Sequence, residues 1–241
     1  VGITDPLFEE WATSFAQTAR ALFAGRSVEG TVARVVELAT PSIGAIDAVS
    51  VTLLEGGTPY TPITSNAVAT RIDHVQYGYS EGPCLDAIEK ETMTYSEDLG
   101  SDPRWPLFGP AADSLGMKSL LSCRLTSDRT LGSLNLYARS PRAFGDEERV
   151  RAGIFATQVG LALDAAIARD KEVQRSRDLE AALVSRSVIG QAQGILMERQ
   201  RWTDEQAFAT LTRVSQKLNL KLREVAQYLV DTGEVPEVSA R

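Results

Sequence analysis

Residues 118–138 read KSLLSCRLTSDRTLGSLNLYA, and the reading of this stretch decides the fold. Its two arms are β-rich, and Ser127-Asp128-Arg129 makes the turn between them, so the stretch predicts an antiparallel hairpin. Working outward, DAVSVTLLEGGTPYTPITSN (47–66) reads as a strand, a Gly-Gly turn and a second strand, and TMTYSEDL (92–99) as a short strand ending in a turn. Helical pattern separates these strands at 66–76, at about 83–90 and at 104–116. Before them, residues 5–24 carry Phe8, Trp11, Phe15, Ala19 and Leu22 at helical spacing. A second helix follows the break Gly25-Arg26-Ser27 and runs to about Leu38, with Val28, Val32, Val35 and Val36 apolar. From Asp146 a helical pattern continues almost to residue 200, and neither Gly nor Pro falls between Leu161 and Ile189. The order implies an α+β domain on an antiparallel sheet flanked by helices, up to about residue 165, joined by a long helix to an all-α segment.

The composition is that of a globular chain, with 43% hydrophobic and 24% charged residues among 241. No apolar run approaches the roughly 18–20 residues of a membrane span, and VGITDPLFEEW lacks the basic and apolar regions of a secretory signal. Cys84 and Cys123 match neither a disulfide framework nor a CxxC ligand pattern. A cytoplasmic, reduced protein is the expectation. The charge of −7 divides unevenly: residues 1–168 carry a net −8 and residues 169–241 a net +1. Within 186–223 seven basic residues stand against three acidic ones, a local +4 that tolerates phosphates where the N-terminal part repels them.

In the N-terminal part, Cys84 follows Gly82-Pro83 and opens the helix CLDAIEKE, with Pro83 in its first turn. A helix N-terminus favours thiolate, the reading of a redox or electrophile sensor. The plainer reading is a small buried residue at a tight helix start. Trp105 and Phe108 stand among Pro103 and Pro106 as pocket-lining residues or loop anchors. His74 is the single histidine and sits in RIDHVQYGY, on an exposed helix or loop, an unpromising haem ligand. No His/Cys/Asp cluster suits a metal. The stretch EGPCLDAIEKETMTYSEDLGSDPRWPLFGPAA, with GSLNLYARSPRAF beyond it, resembles GAF domains, particularly those preceding a helical output module in actinobacteria. GPCLDA, DPRWP and LGSLNLY are the specific pieces. The resemblance implies a ligand-sensing fold with a pocket between the sheet and the helices on one face. It names no ligand, and neither an NKFDE-like set for a cyclic nucleotide nor a Cys/His pair for a bilin is present. Some GAF-fold proteins reduce methionine sulfoxide with thiols, but two cysteines on separate elements do not favour an enzyme.

In the C-terminal part, Val184, Val188, Ala192, Ile195 and Leu196 form the apolar stripe of a helix running to about Glu198. Thr203-Asp204-Glu205-Gln206 has capping-box spacing and starts a second helix, with Trp202 and Ala207 as a staple. Ala207, Phe208, Leu211, Val214 and Leu218 give its core face. Leu222, Val225, Ala226 and Leu229 face inward on a third. Arg186, Gly190, Gln193 and Met197 make one outward face without an acid, and Gln206, Thr210, Arg213 and Lys217 repeat the spacing. Lys221, Arg223 and Gln227 extend it. Cations and amides around flat glycine patches suit a phosphate backbone and base edges, though any solvated helix face also carries polar residues. LEAALVSRSVIGQAQGILMERQRWTDEQAFATLTRVSQKLNLKLREVAQYLV resembles the ANTAR domain over about 180–230, through Ala192/Gly194, Ala207-Phe208, Ser215, Asn219, Lys221 and Ala226. The resemblance implies a three-helix RNA-binding module of transcription antiterminators that binds paired stem-loops, as a dimer. Two positions where the family often has cations hold Gln193 and Thr212.

The expected organisation is an N-terminal helix (1–27), a GAF sensory domain (28–165), a helical linker (166–182), an ANTAR domain (183–235) and a tail (236–241). The expected RNA-binding residues are Arg186, Gly190, Gln193, Gly194, Met197, Arg213, Lys217, Lys221 and Arg223. Ala192, Ala207, Phe208 and Ala226 are expected in the core of that module, and Cys84 and Trp105 are the candidate sensory residues. The expected activity is signal-responsive antitermination without catalysis or metal, with a small molecule in the GAF pocket as the open cofactor question. The alternative is a DNA-binding regulator whose C-terminal helices imitate a helix-turn-helix, with LKLREVAQYLV as recognition helix. Glycine within a helix costs roughly 1 kcal/mol relative to alanine. Gly190 and Gly194 therefore pose a question that only a structure answers: whether another helix or an outside ligand approaches them.

Overall fold

The computed structural model describes residues 6–90 and 92–236. Residues 237–241 of the expected tail and the first five residues lie outside it, as do the side chains of Phe8 and Trp11. The chain divides into two compact units, Val1–Asp170 and Lys171–Arg241.

The first unit opens with α1 (Pro6–Phe23) and α2 (Val28–Ile43). Phe15 is exposed rather than part of a core face, whereas Leu22 is fully buried. Ser27 caps α2 by accepting from the Gly30 N–H at 3.1 Å. α2 continues past Leu38 because Ala39 and Ile43 are buried anchors; Pro41 sits in its last turn, and Gly44 ends it at φ 79°. The sheet elements follow as β1 (Ala48–Glu55), β2 (Thr58–Thr64), β3 (Met93–Ser96), β4 (Ser119–Thr126) and β5 (Thr130–Ala138). Between them come α3 (Ala67–Tyr79), α4 (Pro83–Glu89) and α5 (Phe108–Ser114). α5 starts later than residue 104 because Pro103 and Pro106 hold the preceding segment in turns. All pairings are antiparallel, in the order β2-β1-β5-β4-β3, with the 118–138 hairpin supplying β4 and β5.

Strand alternation gives this sheet two unlike faces. Val49, Val51, Leu53, Leu121, Cys123, Leu125, Leu134 and Leu136 point to one side, into an apolar core shared with α2 and the start of α6 (Asp146–Gln200). On α6, Ala152, Phe155, Val159 and Leu163 fill that core. Gly160 allows close contact there: a Cβ on it would stand 2.4 Å from the Thr126 carbonyl oxygen. Gln158 Nε2 donates to the Phe15 carbonyl oxygen, and Arg169 to that of Gly25. By length and composition alone α6 contains an 18-residue window apolar enough to cross a membrane, and half of that window is buried, a pattern that the core helix of a globular domain also shows. The other sheet face carries Ser50, Thr52, Ser122, Ser133, Asn135 and Tyr137, all fully buried. A second apolar cluster of Ala48, Ala69, Ile72, Leu99, Trp105, Phe108 and Leu120 closes one end of that side.

In the second unit, the last part of α6 packs with α7 (Asp204–Leu218) and α8 (Leu222–Thr232). Ala192, Leu196, Ala207, Leu211, Val225, Ala226 and Leu229 are its buried core. The Thr203–Gln206 capping box is formed in both directions. Asn219 ends α7 in the left-handed conformation, and the Ser215 hydroxyl donates to the Leu220 carbonyl at 2.6 Å, which fixes the turn into α8. Arg199 reaches the Gly233 carbonyl at the end of α8. Every residue from Lys171 to Val184 is exposed, so the stripe expected to begin at Val184 begins at Val188.

Candidate functional site

The polar face of the sheet lies beneath α3 and α4, and its side chains bond to one another. Asn135, central on β5, donates from Nδ2 to Ser50 Oγ at 3.1 Å and Thr52 Oγ1 at 3.0 Å. Its Oδ1 accepts from Ser122 at 3.0 Å and Ser133 at 3.1 Å. From above, α3 presents Asp73, Gln76 and Tyr77, at i, i+3 and i+4 on one helical face. The Asp73 carboxylate accepts from the Tyr137 hydroxyl and, at 2.8 Å, from Thr61. Tyr77 Oη lies 2.7 Å from Thr61 Oγ1 and 2.9 Å from Thr52 Oγ1. Thr61 and Tyr77 are half-buried and form the rim, whereas Asp73, Gln76 and Tyr137 are wholly inside.

Burial drives the ionisations here: it pushes the Asp73 carboxyl above its usual range, against the lowering effect of hydrogen bonds from Tyr137, Ser50 and Thr61. Burial likewise raises the Tyr137 and Tyr77 phenols. Sequence reasoning passed over Asp73, Gln76 and Tyr77. Their one-face spacing on a helix, beside three strands that each carry alternate polar residues, was the available signal.

Cys84 belongs to this layer, with Sγ 3.2 Å from Thr52 Oγ1 and 3.1 Å from Ser133 Oγ. Its N–H donates to Gln76 Oε1 at 3.0 Å across Gly82, where φ is 139° and a Cβ would meet that oxygen at 2.3 Å. The thiolate reading is corrected: burial pushes the Cys84 thiol up to about 12, against the lowering effect of its hydrogen bonds with Ser133 and Thr52. Cys123 sits in the apolar core on the opposite sheet face, its thiol also raised by burial to about 12. Trp105 is buried in the second apolar cluster and donates from Nε1 to Asp86 at 2.9 Å, so it anchors its loop to α4. Among the described residues, its side-chain hydrogen bond goes to Asp86 and not to the polar layer. His74 is exposed on α3.

In the second unit, Arg186, Gly190, Gly194, Met197, Arg213, Lys217, Lys221 and Arg223 are all exposed. Gly190 and Gly194 have nothing within 4 Å of where a Cβ would stand, so no helix of this chain presses on them among the described residues. Gln193 is half-buried and donates to Asp204 at 2.6 Å, which places a carboxylate beside the expected acid-free face. Ala192, Ala207 and Ala226 are in the core, but Phe208 is not: it is 45% exposed. One residue along a helix is about 100° around it, and the small Ala207 occupies the inward position. Phe208 instead borders a groove with Ser185, Arg186, Ile189, Gln193 and Glu205.

Comparison with known proteins divides the chain in the same two parts. Residues 25–164 match the GAF domain family, and residues 177–230 match the ANTAR domain. The GAF domain of a phosphoenolpyruvate-protein phosphotransferase from Coxiella burnetii superimposes with a TM-score of 0.53 at 18% identity, covering 66% of this chain and 96% of that one. The corresponding GAF domain from Acinetobacter gives 0.52 at 14% identity, with 66% and 96% covered. Free methionine-R-sulfoxide reductase from Neisseria meningitidis gives 0.53 at 14% identity, with 69% and 95% covered. At these identities the likeness is one of fold. No curated protein sequence matches the chain. An ANTAR domain implies RNA-binding antitermination, and a GAF domain implies signal sensing. With 25–164 matched, more than half of its length, this chain belongs to the GAF domain family, and an ANTAR domain follows at 177–230.

Proposed function

We propose that the protein is a cytoplasmic, signal-controlled antiterminator that binds paired stem-loops in nascent RNA as a homodimer. The observation that carries this reading is the exposed surface of the helical bundle. Arg186 stands on the same helix as two glycines that nothing among the described residues covers, and Arg213, Lys217, Lys221 and Arg223 are exposed on the other two helices of the bundle. Flat backbone among cations lets a phosphate chain and its bases come close. A second copy finds apolar side chains on Val173, Leu179, Leu183 and Val184, all exposed along one helix. The unbroken α6 connects input to output, and a change in how two copies pair along it would set the spacing of two RNA-binding bundles.

The test is a titration of the full chain with a two-stem-loop RNA, a single stem-loop and duplex DNA as competitor, with mass read by light scattering. Preference for the double hairpin by a dimer, indifferent to DNA at physiological salt, is the expected outcome. Equal competition by DNA would favour the helix-turn-helix alternative and overturn the RNA reading. That alternative is weakened by α8, where Gln227 is engaged with Asp231 at 2.7 Å instead of projecting freely.

A further inference from the structure

The polar layer under α3 holds a full carboxyl group whose hydrogen bonds, among the described residues, come from hydroxyls rather than from a cation. A buried carboxylate without a counter-ion costs several kcal/mol, and an apolar filling of the same volume is often as stable or more so. Stability alone does not account for Asp73. Around it stand the hydroxyls of Ser50, Thr61, Tyr77 and Tyr137, each with an oxygen that accepts as well as donates. One turn along α3, Gln76 supplies an independent observation. Its Oε1 is fixed by the Cys84 N–H, so the amide cannot be turned round, and its fully buried Nε2 has no hydrogen-bond partner among the described residues. An acceptor for that donor belongs beside it.

We propose that this layer is a binding site for a small amine that also carries a carbonyl or carboxylate oxygen, with Asp73 as counter-ion to the ammonium and Gln76 Nε2 as donor to the oxygen. The inference rests on the reading of the GAF domain as the sensor and names the chemistry of what it senses. Side chains three residues apart on a helix have Cβ atoms about 5–6 Å apart, which suits an amine and a carbonyl separated by one or two carbons. Entry is at the half-buried rim, where the ligand displaces the 2.7 Å Thr61–Tyr77 contact. In the closed layer burial favours the protonated form of the Asp73 carboxyl. The incoming ammonium takes that proton's place, one hydrogen ion leaves to solvent, and charge balances. The other titratable groups facing Asp73 are Tyr137 from β5, Cys84 from α4, and Tyr77 and the exposed His74 on α3 itself. The neighbouring strands β1 and β2 add only hydroxyls, from Ser50, Thr52 and Thr61.

The experiment uses the full chain, with β-alanine, glycinamide, ethylamine and neutral acetamide as probes, read by thermal shift and by calorimetry in two buffers of different ionisation enthalpy. β-Alanine or glycinamide should raise the melting temperature, ethylamine should do so less, and acetamide not at all. Affinity should rise with pH as one proton is released. Asp73→Asn keeps the shape, removes the charge and leaves one of the two acceptor oxygens. It should weaken amine binding about thirtyfold or more, the usual loss when a buried charge pair is broken. Gln76→Leu should remove the advantage of the oxygen-bearing amines over ethylamine. No shift with any amine, binding without proton release, or equal binding by Asp73→Asn would each overturn the proposal. The RNA titration is made without amine, so its outcome stands or falls separately.

Discussion

At the scale of single residues, the informative ones are those placed against their own preference. Asp73 is wholly buried, and burial raises its carboxyl above the ordinary 3.8 despite hydrogen bonds that oppose the rise. The folded chain therefore holds this proton at a pH where the unfolded chain has lost it. That contribution to stability is fully present below 3.8 and is lost as pH rises through the raised folded value. Urea unfolding from about pH 4 to 8 should show the wild type losing ground to Asp73→Asn by up to about 1.4 kcal/mol per pH unit. Parallel pH profiles for the two proteins would show that Asp73 ionises as freely folded as unfolded. Phe208 is a residue of the same kind: its neighbour Ala207 takes the inward position, and a large aromatic side chain is left at the edge of a groove. Helical spacing alone does not choose between adjacent apolar residues, which is why sequence reasoning put both in the core.

At the scale of elements, much was legible. The hairpin at 118–138 is set by local turn chemistry and strand composition, and it became β4 and β5. The Thr203 cap is likewise a local pattern, and α7 begins where it says. The burial of Ser50, Thr52, Ser133, Asn135 and Tyr137 was not legible in this way. Alternation of polar and apolar residues on three strands normally means a solvent face, and only the docking of α3 and α4, distant in sequence, covers it. On α6, Gly190 and Gly194 sit in open space, so Gly→Ala at both should stabilise the bundle by up to about 1–2 kcal/mol in urea unfolding. The same double variant should bind the two-stem-loop RNA several-fold more weakly, because two methyl groups hold it off the backbone. Greater stability with unchanged RNA affinity would mean that RNA does not touch this part of the helix.

At the scale of the whole molecule, charge decides how the protein meets a polyanion. The chain is −7 overall, yet residues 186–223 carry a local +4. RNA affinity should fall steeply with salt, because binding releases counterions from the phosphates that cations contact. Replacing Lys217 with Ala should weaken binding to all hairpins alike and lower the slope of log affinity against log salt by about 0.7–1. An unchanged slope would place Lys217 off the phosphate path. The two-faced sheet has a consequence for engineering as well. Its apolar side is an ordinary core, while its hydroxyl-lined side is a buried interior that a designer would fill with hydrocarbon. Repacking Ser50, Thr52, Asp73, Ser133 and Asn135 with apolar residues of matched volume should leave a robust but deaf domain. Fused to the same RNA-binding bundle, such a domain would give a regulator locked in one state, a fixed reference against which the living switch is read.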